Sequence, residues 1–374
     1  GAFFAPSAAR AMRSWYLHSH GFAYDSDLPA LCHKMLNGNL ADTAKLQELA
    51  DKVSLSGAHV PNLQAFANEY INVFSTGYNY AFGIAALAMV ISLLSYVLFK
   101  KHLPDRKAIQ ANSPTAVKMS WEEEKKRLIA LGLVFVVVIF FWMSFHQNGL
   151  SMTMYARDYM AKSVDPVTNI VFYLPALLSL CAAVAGIVML VQKKTPNEKK
   201  SLTTDLDDSG KAAQNKAFLM NKGIGAVLTI AGAYLVYYFY SKMPALNPIE
   251  PEIFQQFNPL FIVALTPFIV WLFSWLRNRN IEPSTPRKIG IGMILAAVGF
   301  SVLIASSIGL VSQADLAGEP SPERISAHWL IVTYLVLTFA ELFLSPMGIS
   351  FVSKVSPPRF QGLMQGGWLG ATAV

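Results

Sequence analysis

The sequence has little charge, almost no cysteine and none of the common enzyme signatures. Charged residues make up 14% of its 374 positions, against roughly 25% in soluble domains. Cys32 and Cys181 are the only cysteines, and no Cys-x-x-Cys pair indicates a metal or redox centre. The HExxH, GxSxG and phosphate-binding glycine patterns are missing as well. We therefore expect no metal, no cofactor and no enzymatic activity.

What the sequence does contain is long apolar runs. Hydrophobic residues account for 53% of the chain, and about 20 apolar residues in a helix cross a membrane. Seven segments meet that length, which predicts an all-α membrane protein surrounded by the lipid bilayer. The predicted spans are 80–99, 128–154, 168–191, 223–240, 257–276, 289–311 and 328–351.

Basic residues predict which connections face the cytoplasm. Alternate segments hold 21 of the 30 lysine and arginine residues, namely 100–127, 193–222, 277–288 and 354–359. Positive residues crowd cytoplasmic loops, so these segments are assigned to the inside. The net charge of +7 then follows from topology and anionic lipid. No basic and aromatic motif for nucleic acid accompanies it, and we expect no nucleic-acid partner.

Both ends of the chain resemble interrupted helices. Residues 1–12 have the character of the end of a transmembrane helix, and the last residues begin another one. Between them we predict an extracytoplasmic segment over 13–78, a transmembrane helix over 79–100 and a cytoplasmic linker over 101–127. Residues 128–374 then hold the remaining predicted spans. We expect the chain to be a fragment.

One acidic residue lies inside the last predicted span. Glu341 shares a helical face with four small or polar residues, whereas apolar side chains cover the other faces. An ionisable group in a membrane helix costs about 2.5 to 3.5 kcal/mol and by default indicates a functional site. The stripe therefore predicts a bundle around a solvated path. Its other members are Tyr334, Thr338, Ser345 and Gly348.

A second polar feature lies near the end of the second span. At helical spacing Trp142, His146, Gly149 and Thr153 share one face, which places an imidazole beside an aromatic ring. An imidazole changes charge near physiological pH. The spacing alone leaves open whether His146 binds protons, acts as a gate or only forms a hydrogen bond near the membrane interface.

Several motifs in order resemble the proton-dependent oligopeptide transporter family of the major facilitator superfamily. The stretch that begins at Glu341 (ELFLSPMG) carries most of the likeness. It is joined by the stretch from Phe141 (FWMSFHQNGLS), by Asn258-Pro259, by GAFFAP at the start and by MQGGW near the end. The resemblance implies a major facilitator helical bundle, present from late helix 5 to early helix 11. Residues 128–374 would then be its incomplete C-terminal half, and the missing N-terminal half of the chain would be its partner. Segments 168–191 and 223–240 have no counterpart and are interpreted as an inserted helical pair.

The resemblance also implies a function and residue roles. The function would be proton-coupled symport of di- and tripeptides across the plasma membrane by alternating access. Glu341 would bind the peptide's amino terminus, and Asn258 would hold the peptide backbone. Trp142 and Trp368 would be aromatic walls, with Tyr334 and Ser345 as further substrate contacts. His146 stands where members usually carry an acid, and it joins Glu341 as a proton-coupling candidate.

Each of these interpretations has an alternative. Glu341 could form a structural ion pair, Asn258 could cap a helix before Pro259, and both tryptophans could serve packing or the membrane interface. The protein could carry another small solute such as nitrate or a drug, which competition with dipeptides would reveal. It could also be a nontransporting membrane scaffold or sensor.

Overall fold

The computed structural model describes residues 4–40, 43–100, 120–192, 208–316 and 319–373, with only the backbone of 208–215 and 346–347. The described chain is almost entirely helical. Helices are α1 (Ala5–Ser19), α2 (Leu28–Leu36), α3 (Ala44–Val53), α4 (Leu63–Phe99), α5 (Trp121–Phe145), α6 (Ser151–Tyr159), α7 (Pro166–Asn169), α8 (Leu174–Val191), α9 (Asp208–Lys242), α10 (Phe257–Asn278), α11 (Thr285–Ser306), α12 (His328–Val355) and α13 (Gln361–Ala373). Short 3-10 turns cover His146–Asn148, Pro251–Gln256 and Pro358–Phe360.

The predicted all-α membrane architecture is confirmed. Within the described ranges, seven helical segments are long and apolar enough to span a membrane, as the sequence predicted. Each predicted span overlaps one of them, and the protein is an integral, multi-pass membrane protein. The chain divides into two compact units, residues 1–161 with 250–374 and residues 162–249. We call them the main unit and the α8–α9 unit.

Before the first span, the main unit contains a small helical core. The end of α1, α2, α3 and the beginning of α4 bury an apolar cluster that includes Leu17, Leu28, Leu46 and Tyr70. Helix α4 begins at Leu63 and not near residue 80, because Asn62 caps it by accepting hydrogen bonds from two backbone amides of its first turn. At 37 residues it is on the order of 55 Å long. It therefore exceeds the roughly 30 Å hydrocarbon core by several turns.

Other predicted span boundaries also differ from the structure. The span over 128–154 is interrupted at His146–Asn148. The one predicted from residue 168 begins at Leu174, directly before a proline, which suits the first turn of a helix. The one predicted to reach residue 311 ends at Ser306, and Gly309 adopts a positive φ of 84° that favours glycine.

In the α8–α9 unit the two helices approach each other at small residues. A Cβ atom added to Gly232 would lie 2.6 Å from the backbone nitrogen of Ala183 and 2.7 Å from the carbonyl oxygen of Ser179. Thr229 donates to the carbonyl of Gly225 at 2.8 Å. Small residues permit such close approach between membrane helices. The interpretation of this pair as an insertion remains a prediction.

Two short strands close the ends of the α8–α9 unit. β1 (Ser163–Val164) and β2 (Asn247–Pro248) pair antiparallel. Several sequence features lie outside the described residues: the first three residues of the opening motif, positions 101–119 of the predicted linker and residues 193–207. The boundaries predicted for the domains stay predictions.

Candidate functional site

The polar stripe of α12 meets the beginning of α10 inside the main unit. The side-chain amide of Asn258 donates to the Oε2 atom of Glu341 at 2.7 Å and to the Oγ1 atom of Thr338 at 3.3 Å. Thr338 is fully buried, and its hydroxyl donates to the carbonyl of Tyr334 at 2.7 Å. Glu341 itself is half-buried. One amide thus orients a carboxylate that lies in a membrane span.

Helices α10 and α12 pack through apolar side chains. Ile269 and Phe273 of α10 form a buried cluster with Leu342 of α12, and Ile262, one turn after Asn258, packs against that cluster. The alternative role of Asn258 as a helix cap is wrong. Gln256 occupies the cap position and Asn258 lies inside α10, so its side chain is available for the contact with Glu341.

No cation in the described part of the chain neutralises this carboxylate. The ion pairs among described residues involve other acids, and none includes Glu341. A carboxylate that accepts only a neutral amide keeps acceptor capacity for a further donor. The arrangement can therefore bind a proton or an ammonium group.

Trp142 and His146 lie together, but not on a continuous helix. Their rings are 5.4 Å apart between centroids with an interplanar angle of 29°. Trp142 is 9% exposed, and its indole N–H has no hydrogen-bond partner in the described ranges, whereas His146 is exposed. The α-helix ends at Phe145, so the single face predicted from Trp142 to Thr153 is interrupted at His146.

The remaining predicted site residues occupy distinct surroundings. Tyr334 is 1% exposed, and its hydroxyl donates to the carbonyl of Asn148 at 3.1 Å. Ser345 is half-buried, about one turn after Glu341 on α12.

Trp368 on α13 packs against α12 and α5. It is 3% exposed and lies so close to Gly348 that a Cβ there would be 1.9 Å from its ring. Phe135 contacts it edge-on with centroids 6.2 Å apart. A cavity of about 120 Å³ lies beside the ring, lined by Ile349, Val352, Gln365 and Leu369 as well.

The main unit also contains a buried charge cluster that the sequence did not predict. Arg13 of α1 is 3% exposed and pairs with Glu250 and, at 2.8 Å, with Glu252. Arg10 donates to Glu250 at 2.8 Å, and the hydroxyl of Tyr78 lies 2.7 Å from both Arg13 and Glu252. Burial raises the pKa of Glu250, although both arginines oppose the shift. The two glutamates lie more than 170 residues after Tyr78 and the two arginines. No periodicity in the sequence therefore indicates that these side chains meet.

A second cavity lies next to this cluster. It has a volume of about 230 Å³ and is lined by aromatic side chains, Glu252 and Arg157. The aromatic residues are Tyr24, Phe74 and Tyr78. In the described ranges no group of three or more His, Cys, Asp or Glu side chains is arranged to hold a metal ion.

Comparison with known proteins relates the chain to membrane transporters. Residues 232–374 match the family model described as the POT family. The dipeptide and tripeptide permease B of Aliivibrio fischeri is 23% identical over 365 residues, which is 92% of this chain and 60% of that protein. The peptide transporter YePEPT of Yersinia enterocolitica is 35% identical over 121 residues, or 32% of this chain and 22% of that protein.

Among solved structures, a POT family transporter in complex with a thioalcohol-conjugated peptide aligns with a TM-score of 0.33 and 17% identity. The alignment covers 100% of this chain and 77% of that one. Overall, the chain spans about half the length of the curated relatives it matches, between 51% and 60% for those matched along most of this chain.

Proposed function

We propose that the complete protein is a proton-coupled symporter of di- and tripeptides in the plasma (inner) membrane. The match of residues 232–374 to the POT family model supports this proposal. Transport proceeds by alternating access, in which two halves of the bundle move around a site near the membrane midplane. Named relatives that transport di- and tripeptides support this substrate class. Protons supply the driving force, and the bilayer is the protein's environment.

The observation that carries the proposal is the contact between Asn258 and Glu341. The amide of Asn258 fixes one carboxylate oxygen at 2.7 Å, and no cation of the described chain occupies the acid. A carboxylate in a low-dielectric site attracts an ammonium group far more strongly than it would in water. Glu341 therefore binds the amino terminus of the peptide, or a proton when the peptide is absent.

The other residues complete the proposed site. Asn258 contacts the peptide backbone as well as Glu341, because an amide both donates and accepts. Trp142 and Trp368 are aromatic walls for substrate side chains. The indole N–H of Trp142 has no partner among the described residues, and Trp368 lies beside a cavity. Tyr334 and Ser345 share the acid's helix within two turns.

His146 is the second proton-coupling residue of the proposal. Its imidazole is exposed beside Trp142, so it can exchange protons with water. A proton that moves down about 100 mV and one pH unit releases roughly 2.3 plus 1.4 kcal/mol. That energy supports a peptide gradient of several hundredfold.

The test is uptake of labelled dialanine by the complete protein in proteoliposomes. We expect uptake to require an inward proton gradient and to be abolished by Glu341→Gln. The matched control is Glu123→Gln, which removes an acid from an exposed pair one turn apart on α5 and should transport normally. A complete protein without proton-dependent dialanine flux, or a Glu341→Gln variant with normal uptake, would contradict the proposal.

A further inference from the structure

The membrane span that carries His146 is broken in its second half. Helix α5 ends at Phe145, a single 3-10 turn covers His146–Asn148, and α6 begins at Ser151. A break in the α-helical hydrogen-bond ladder deprives backbone groups of their regular partners. Within a membrane such groups find partners on side chains of their own segment, as the carbonyl of Gly149 does with the hydroxyl of Thr153 at 3.1 Å, or on neighbouring segments.

Two side chains from other helical segments supply donors at this break. The hydroxyl of Tyr334 donates to the carbonyl of Asn148 at 3.1 Å. The side-chain amide of Gln255 donates to the carbonyl of Gly149 at 3.2 Å and to the hydroxyl of Thr153 at 3.1 Å. Successive carbonyls of the break are thus held from two directions, one by α12 and the other by the turn that leads into α10.

One donor lies on α12, and the other lies on the 3-10 turn that leads directly into α10. Tyr334 precedes Glu341 by seven residues, or about two turns of α12. Gln255 precedes Asn258 by three residues at the start of α10. Glu341 and Asn258 contact each other directly, so a shift of either helix moves a donor at the break.

We infer that Tyr334 and Gln255 are positioning residues that fix the bend at residues 146–150 and couple it to the occupancy of Glu341. The coupling rests on the proposed function. A peptide amino group at Glu341 competes with the amide of Asn258 for the carboxylate, so α10 and α12 change their relative position. The two donors then pull or release the carbonyls of Asn148 and Gly149, and the segment from His146 onward changes its angle to α5.

The experiment measures that angle as a distance in the complete protein. Spin labels replace Ile129 on α5 and Met154 on α6, two side chains that are 55% and 40% exposed, in a cysteine-free background. The two labels are 25 positions apart, which corresponds to on the order of 37 Å on a straight helix and lies within reach of pulsed electron paramagnetic resonance. The variants are Tyr334→Phe and Gln255→Ala. Tyr70→Phe is the matched control, because it removes the hydroxyl of another fully buried tyrosine that lies near a backbone carbonyl, 3.4 Å away, in the small helical core.

We expect both variants to broaden the ligand-free distance distribution, and the control to leave it unchanged. Dialanine should shift the distance in the unsubstituted protein, and each variant should lose at least half of that shift. Gln255→Ala, which lies outside the proposed binding site, should do so while its affinity for dialanine stays within twofold. Ligand-free distributions that match the control would overturn the inference. A normal peptide-induced shift in both variants would overturn the coupling. If Tyr334→Phe does not fold, Gln255→Ala decides the matter alone.

Failure of the proposed function gives a different result. If the unsubstituted protein binds no dialanine, but both variants still broaden the ligand-free distribution, the tethering role stands and the peptide assignment falls.

Discussion

Removal of Arg13 should destabilise the protein far more than removal of an exposed arginine. Arg13 is 3% exposed and faces two carboxylates. Truncating one partner of a buried ion pair typically costs about 3 to 5 kcal/mol, because the other charge stays buried without compensation. We expect Arg13→Ala to fall near the lower end, at about 3 kcal/mol. Glu250 keeps its contact with Arg10, and the side chain of Glu252 is 31% exposed.

The assay is denaturant unfolding of the complete protein in mixed micelles, followed by circular dichroism. Arg127→Ala is the control, since that arginine forms an exposed pair with Glu123 one turn earlier, and such pairs contribute about 0.3 to 0.5 kcal/mol. Combining Arg13→Met with Glu252→Gln should restore part of the loss, because Glu250 keeps Arg10 as its partner and Glu252 no longer carries an uncompensated charge. The reasoning is refuted if Arg13→Ala and Arg127→Ala cost the same.

Three further predictions concern packing, thiol reactivity and acid stability. Gly232→Ala should lower the free energy of unfolding by about 1 to 3 kcal/mol, because the added methyl group forces α8 and α9 apart. Gly223→Ala on the same helix is the control: an added Cβ there meets nothing within 4 Å, so it should raise the free energy of unfolding by up to about 1 kcal/mol. Equal effects of the two substitutions in thermal unfolding would contradict the packing. Cys32 is fully buried, and burial raises its pKa to about 12, so mass spectrometry should find it unlabelled by maleimide at pH 8 until the protein is denatured; rapid labelling of folded protein would be inconsistent with this. Hydrogen bonds from Arg277 and Lys288 lower the pKa of Glu282 to about 2, so the stabilisation by this carboxylate is present above about pH 4.5 and is lost as the pH falls through 2. Glu282→Gln should therefore lower the free energy of unfolding by about 1 kcal/mol at pH 7 and leave it almost unchanged near pH 2. A loss of stability that does not depend on pH would refute the pairing.

The features that could be predicted from the sequence are those with a local signal. Apolar runs of sufficient length predicted seven membrane segments, and helical spacing predicted that Tyr334, Thr338 and Glu341 share a face of α12. The structure adds that this face meets Asn258, which a pattern within one helix cannot show, since the contact joins residues 83 positions apart.

Features that depend on distant partners were not predictable in this way. The break at His146–Asn148 lies in a sequence that continues with helical periodicity, and its donors, Tyr334 and Gln255, come from other parts of the chain. Arg13 was likewise assigned to a connecting segment. Its burial was not predicted, because its partners, Glu250 and Glu252, lie about 240 residues later. A charge in a predicted loop carries no signal that it will be buried.

The most direct test of the account compares two ligands that differ only at the amino terminus. Calorimetry on the complete protein would measure binding of dialanine and of N-acetyl-dialanine, before and after Glu341→Gln. Loss of one partner of a buried, hydrogen-bonded charge pair costs about 2 to 5 kcal/mol. We therefore predict at least a roughly 30-fold preference for the free amine, and its disappearance in the variant. A Glu341→Gln protein that keeps the same preference would contradict the assignment of Glu341 as the amino-terminal contact.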